Sequence, residues 1–262
     1  MASADELLAA GDLDGARAAL VDTVRRSPDD QRARMFLFQL LAVQGEWDKA
    51  GAQLRALAQL SPEAQMLAAT YNQAIAAEQM RAKAFAGEVP FTVLIASSSW
   101  VDTLASALTA LHQGRISEGD DKRGQAFDAA GDTPGELNGE RFAWIADADS
   151  RFGPAIEAVV AGRWGLLPFE AVAEIKCEGP RDLRDVIWLP VEMRLKSGQS
   201  WAAFLPARYP GSELEADAGL RLGRKTDWRQ VPGGEGGYGQ KVWSTDDGGE
   251  MGLLSLRKLT FD

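Results

Sequence analysis

The sequence predicts an α+β protein: an N-terminal array of repeated helices, then a smaller mixed domain of mainly antiparallel strands with a few short helices. Two observations carry that prediction. Apolar residues recur at helical spacing up to Gly87, with a 34-residue period relating Gly11-Asp12-Leu13-Asp14-Gly15-Ala16 to Gly45-Glu46-Trp47-Asp48-Lys49-Ala50. After Arg141 the pattern changes to alternation and short apolar runs joined by tight turns, without a helix between each pair, which favours antiparallel pairing.

The period is that of a tetratricopeptide-like (TPR-like) repeat, and Ser27-Pro28 with Ser61-Pro62, and Leu20 with Leu54, keep the same offset. In each unit a glycine ends one helix, an apolar residue plugs the turn, a small alanine lets the next helix approach, and proline marks the following boundary. The stripes Phe36, Leu40, Val43 and Leu67, Tyr71, Ala74 then place helices near 4–10, 14–26, 30–44, 47–60 and 62–86. Two repeats fall short of the three a free solenoid needs, so the long last helix is expected to dock on the C-terminal part. The array, residues 1–87, reads as a peptide-binding groove with Arg32, Arg34 and Gln39 as exposed partner-binding candidates.

Residues 88–139 read as a helical connector. Ser97, Ser98 and Ser99 offer caps to a helix carrying Val101, Leu104, Leu108 and Leu111, which ends at Gly114. His112, the single histidine, falls in its last turn and is expected to act as a cationic C-terminal cap. The Gly- and Asp-rich stretch from Gly114 to Gly139 predicts one short helix around Gln125 to Ala129.

Residues 140–262 form the predicted α+β domain. Phe142 to Ala146 reads as a strand, Pro154 as the start of a short helix closing at Gly162, and Val191 to Leu195 with Trp201 to Leu205 as a hairpin. Two further strands are expected around Gln240 to Ser244 and Leu253 to Phe261. Ala173, Ile175 and Cys177 alternate with charged residues, so the thiol is expected to fill a core. Seven of the eight tryptophans lie after residue 99. They read as core, or in part as partner or self-association anchors.

Composition excludes several partner classes. The 262 residues hold 38 acidic and 28 basic side chains, a net charge of −10. Residues before Gly87 carry 9 basic and 11 acidic groups and the rest 19 and 27, so neither part has the basic footprint of a nucleic-acid or anionic-membrane binder. No run approaches the roughly 18 apolar residues of a membrane span. The first residues lack a basic region followed by an apolar core, which sets the expectation of a soluble protein that is not exported.

Catalytic equipment is sparse. Asp147-Ala148-Asp149-Ser150-Arg151 pairs two carboxylates that could hold a divalent metal or act as acid and base; the competing reading is a cap and an ion pair at a strand corner. Gly234-Glu235-Gly236-Gly237-Tyr238-Gly239 satisfies G-x-G-x-x-G, but a strand pattern rather than a helix follows it, so it reads as a mobile hairpin loop. Pro206-Ala207-Arg208-Tyr209-Pro210 is a compact loop whose Arg208 and Tyr209 are candidate surface anchors for a partner. No catalytic residue, cofactor site or metal site is assigned; a metal-dependent enzyme using Asp147 and Asp149 is the alternative reading.

Gly45 to Ala50, Phe142 to Pro154, Asp182-Leu183-Arg184-Asp185-Val186-Ile187-Trp188 and Pro206 to Glu213, in that order, resemble the ImpE family, also called TagJ. The resemblance covers most of the chain, least from Glu88 to Gly135. It implies a non-catalytic cytoplasmic adapter of bacterial type VI secretion with a TPR-like N-terminal part and an α+β C-terminal part. The implied partners are the small sheath subunit and the ClpV-type AAA+ ATPase that recycles the contracted sheath, with a sheath-subunit helix docking in a groove.

Overall fold

A computed structural model describes residues 2–95 and 99–262. Five helices open the chain: α1 (Ala4–Ala9), α2 (Leu13–Arg26), α3 (Gln31–Val43), α4 (Trp47–Ala58) and α5 (Pro62–Phe85). Four of the five starts carry side-chain caps; α4, which begins after Glu46, does not. Ser3 and Glu6 form a reciprocal capping box, and the side chains of Asp12, Asp30 and Ser61 accept from Gly15, Ala33 and Ala64. Gly11 and Gly45, at the equivalent turns of the two repeats, take positive φ of 82° and 71°, where a side chain would be strained.

A helical hairpin follows, α6 (Ser99–His112) and α7 (Ile116–Ala129). The capping role expected of Ser97 and Ser98 lies outside the described residues. The second helix is far longer than the short one expected. One of its glycines, read as a loop former, permits packing instead: a Cβ on Gly119 would stand 2.5 Å from the Leu111 side chain.

The remaining chain builds β1 (Gly135–Leu137), β2 (Glu140–Phe142), β3 (Ile145–Asp147), β4 (Ala155–Val160), β5 (Arg163–Pro168), β6 (Val172–Lys176), β7 (Trp188–Leu195), β8 (Ser200–Pro206), then helix α8 (Ala218–Arg221). It ends with β9 (Thr226–Val231), β10 (Gly234–Gly239), β11 (Val242–Thr245), β12 (Glu250–Gly252) and β13 (Lys258–Phe261). Eight strands form one antiparallel sheet in the order β2-β1-β13-β6-β7-β8-β4-β5, beside a three-stranded sheet β12-β11-β3 and the ribbon β9-β10. The architecture is therefore the expected α+β arrangement of TPR-like helices and antiparallel strands.

Three local expectations need correction. Residues 154–162 form a strand and turn rather than a helix: Ala155 to Val159 are buried on both faces, and Ala161 and Gly162, both at positive φ, turn the chain into β5. Phe142 to Ala146 is not one strand. Asp246 accepts from the Ala143 amide at 2.6 Å, breaking the run and leaving Trp144 40% exposed. Leu253 to Ser255 form a 3-10 turn, so the last strand starts only at Lys258.

Three apolar cores tie the parts together. One lies between the large and small sheets, around Phe169, Leu189 and Trp243. A second fills the helix hairpin α6–α7 against α5 and β4–β5. In the third, the helices α2 to α5 close over Ile187, Trp188 and Leu222 of the C-terminal part.

Candidate binding surfaces and the buried charge cluster

Where α5 meets the sheets, the chain buries an alternating row of charges. Glu78 and Arg81 sit three residues apart on the inner face of α5, Glu157 lies on β4, Lys241 just before β11, and Asp147 at the end of β3. Arg81 grips Glu157 with two bonds of 2.7 and 2.9 Å; Lys241 bridges Glu157 at 3.0 Å and Asp147 at 2.7 Å. The Trp164 indole donates to Glu157 at 2.9 Å. Burial opposes the charge on Glu157, but Arg81 and Lys241 outweigh it and hold its pKa near 2. Burial likewise opposes the Lys241 charge, yet its two carboxylates keep its pKa raised.

Asp147 and Asp149 come together here, fully committed to the chain's own donors. Asp147 accepts from Lys241, from the Tyr209 hydroxyl at 2.8 Å and from the Asp149 amide at 3.0 Å. Asp149 accepts from the Arg151 side chain and amide at 2.8 and 3.0 Å and from the Gly237 amide at 3.1 Å. Among the described residues, no group of three or more His, Cys, Asp or Glu side chains is placed to hold a metal. A cation here would have to displace Lys241 and Arg151, so the arrangement serves as a weld between helices and sheets.

Arg208 and Tyr209 are not surface anchors: they are 4% and 0% exposed. Arg208 donates to the Val43 carbonyl at 3.0 Å and to that of Arg221, satisfying orphan carbonyls at helix C-terminal ends. Tyr209 is roofed by the glycine-rich segment. That segment is strand β10 paired to β9, not a mobile loop, because a Cβ on Gly237 would stand 2.3 Å from the Tyr209 ring. His112 is no cationic cap either. It packs against Phe85 and Phe91, donates from Nδ1 to the Phe85 carbonyl at 2.9 Å, and burial with the nearby Arg151 charge lowers its pKa to about 4. The Cys177 thiol is buried, with its pKa raised by burial.

The three candidates on α3 part company. Arg32 is exposed and Gln39 is 8% exposed; both line a shallow hollow of about 340 Å³ with Gln31, Met35 and Phe36. Arg34 turns the other way, bonding to Gln53 on α4 at 3.0 Å. The neighbouring face of α3 and α5 is covered by the chain itself: the 3-10 turn Leu183–Val186 packs on it, with Arg184 4.7 Å above the Tyr71 ring. A second, larger opening of about 890 Å³ lies between α5 and the outer face of the large sheet.

Comparison with known proteins fits this picture. The sequence profile described as ImpE protein matches residues 139–260, and a tetratricopeptide repeat profile matches residues 7–74. The type VI secretion system accessory component TagJ of Pseudomonas aeruginosa is 42% identical over 261 residues, covering 99% of this chain and 91% of that protein. The chain belongs to the ImpE/TagJ family. The crystal structure of protein VPA1032 from Vibrio parahaemolyticus superposes with a TM-score of 0.87 over 99% of this chain and 97% of that one; at 22% identity it shares the fold. In this member of the ImpE/TagJ family, Glu78, Arg81, Glu157 and Lys241 are the partners that sequence reasoning missed. The signal was present: Glu157 interrupts an apolar run, and Glu78 and Arg81 sit on the apolar face of an alanine-rich helix.

Proposed function

We propose that this chain is a non-catalytic, cytoplasmic accessory adapter of type VI secretion that binds the small sheath subunit, the ClpV-type AAA+ ATPase that recycles the contracted sheath, or both. The observation that carries this reading is the 42% identity to a type VI accessory component across both the helical and the sheet parts. Two structural features support it. The paired carboxylates already neutralise buried cations, and the helical array keeps an uncovered hollow on α3 at Arg32, Phe36 and Gln39. Among the described residues, no helix is long and apolar enough to cross a membrane.

Calorimetric titration of the full chain against the purified small sheath subunit and the N-terminal domain of the ATPase tests the adapter reading. Micromolar or tighter binding supports it, and no binding to either overturns it as stated. Arg32→Glu combined with Phe36→Ala is expected to weaken that binding at least fivefold. Unchanged binding would move the contact away from α3.

A further inference from the structure

One aromatic ring of this chain is held outward. Among the described residues Trp144 is the only exposed tryptophan, and it stands out between β2 and β3 because Asp246 accepts from the Ala143 amide at 2.6 Å and from the Trp144 amide at 3.5 Å. The ring borders the outer side of the small sheet. Ile145, Trp243 and Met251 point into the core between the two sheets, so the residues alternating with them point away from it. On that side Ala146 lies opposite Ser244 and Ser244 opposite Glu250, a row of short side chains ending in an exposed carboxylate.

Charge on this side has one sign. The turn between β11 and β12 adds the exposed Asp246 and Asp247 to Glu250, and neither the three strands nor that turn carries a Lys or Arg. Asp247 accepts from the Thr245 hydroxyl at 2.7 Å and the Gly249 amide at 2.8 Å; among the described residues, none of the three carboxylates meets a cation of the chain. The cations nearest in sequence are committed elsewhere: Arg141 to Asp262, Arg151 to Asp149, Lys241 to Asp147 and Glu157, and Arg257 to the Leu254 and Leu256 carbonyls. At other rings the chain supplies its own guanidinium. Arg229 lies 4.2 Å from the centre of the Tyr238 ring while bonding to Glu215 at 2.8 Å and Asp227 at 3.0 Å, and Arg184 lies over Tyr71 while pairing with Asp182 at 2.7 Å. Trp144 beside Asp246 has the same ring and carboxylate, and among the described residues no guanidinium lies over it.

We propose that the outer side of the small sheet binds a cationic, extended segment of a partner protein, with one arginine laid on the Trp144 ring and bonded to Asp246 and a second cation meeting Glu250. Tryptophan is the ring that holds a cation best, and a carboxylate beside it adds a charge-assisted bond. Glu250 lies two strand spacings from β3, about 10 Å, which arginines on alternate positions of an extended segment can span. The complementary charge selects the partner, and the indole anchors it. This surface is separate from the α3 hollow and from the opening beside α5. It goes beyond the adapter reading, and its chemistry is testable without any type VI component.

The probe is a short fluorescein-labelled peptide alternating Arg and Thr, compared with the same peptide bearing uncharged citrulline in place of every Arg, by fluorescence anisotropy against the full chain. The Arg peptide is expected to bind at least tenfold tighter. That binding should fall at least fivefold in Trp144→Ala and in Asp246→Asn combined with Glu250→Gln. It should hold within twofold in Asp121→Asn combined with Asp128→Asn, which removes the same charge from exposed positions of α7. Circular dichroism checks that each variant is folded. Equal affinity for both peptides, no binding of either, or binding that either small-sheet variant retains would overturn the proposal and leave the adapter titration standing on its own. An equal loss in the α7 variant would reduce the binding to general attraction by an acidic chain and also overturn it. Concentration-dependent mass in light scattering that Trp144→Ala abolishes would make the occupant a second copy of the chain and equally overturn it.

Discussion

Helix α5 is held to the C-terminal part at two places by opposite chemistries. Near its start the seam is aromatic: Tyr71 lies 5.7 Å from both Phe38 and Trp188 and 5.4 Å from Phe204. Ten residues further on, Arg81 enters a buried ion cluster with Glu157, Lys241 and Asp147. Apolar contacts tolerate small slips and still stabilise; buried ions do not, because each displaced partner leaves an unsolvated charge. The aromatic seam thus supplies adhesion and the ion cluster supplies register, fixing which turn of α5 faces β4.

The largest expected effect comes from breaking the cluster while keeping its shape. Glu157→Gln removes the charge that Arg81 and Lys241 share and is expected to cost about 3–5 kcal/mol in urea denaturation. A loss under 1 kcal/mol would show that the cations re-pair with Asp147 and Glu78. Acid should expose a second difference. His112 has its pKa depressed from 6.5 to about 4. Between those values the unfolded chain takes up a proton and the folded chain does not, so this contribution is complete above pH 6.5 and is lost as pH falls toward 4. At most about 3 kcal/mol is at stake. Unfolding midpoints at pH 7 and 4.5 should therefore differ more in the native chain than in His112→Gln; Glu157, held near 2, contributes its own loss only in stronger acid.

On the aromatic seam the effects should be graded rather than abrupt. Trp188→Phe, which trims a fully buried ring, is expected to cost roughly 1–3 kcal/mol by calorimetry or denaturation. Arg184→Ala removes a cation stacked on Tyr71 at the seam's rim and should cost about 0.5–1 kcal/mol. If Arg184→Ala matched Glu157→Gln, the division into adhesion and register would be wrong.

Much of the fold was legible because local rules and tertiary demands agree in the array: Gly11 and Gly45 stop helices, and Asp12, Asp30 and Ser61 start them. The C-terminal part was less legible because distant residues decide it. Pro154 is a sound helix opener, but the stretch after it is claimed by β5 and β8, and Gly237 is glycine for the sake of Tyr209, which no local window around it contains. The paired carboxylates were visible as Asp147 and Asp149, and so was Arg151, which pairs with Asp149; Lys241, the cation of Asp147, was not, since it lies 94 residues away. Arg32 and Gln39 share a helix face by spacing alone; the loss of Arg208 and Tyr209 as anchors follows from burial by β10 and α8.

The cover over α3 and α5 also orders events in time. Phe38 and Tyr71 emerge from the ribosome long before Trp188, which closes their core; at typical synthesis rates the interval is roughly 6–30 s. Through that interval the nascent helices present an unfinished apolar face, an opportunity for a chaperone and a hazard for premature association. The array therefore completes its folding only after β7 has been made, as a late and long-range event in the life of each molecule.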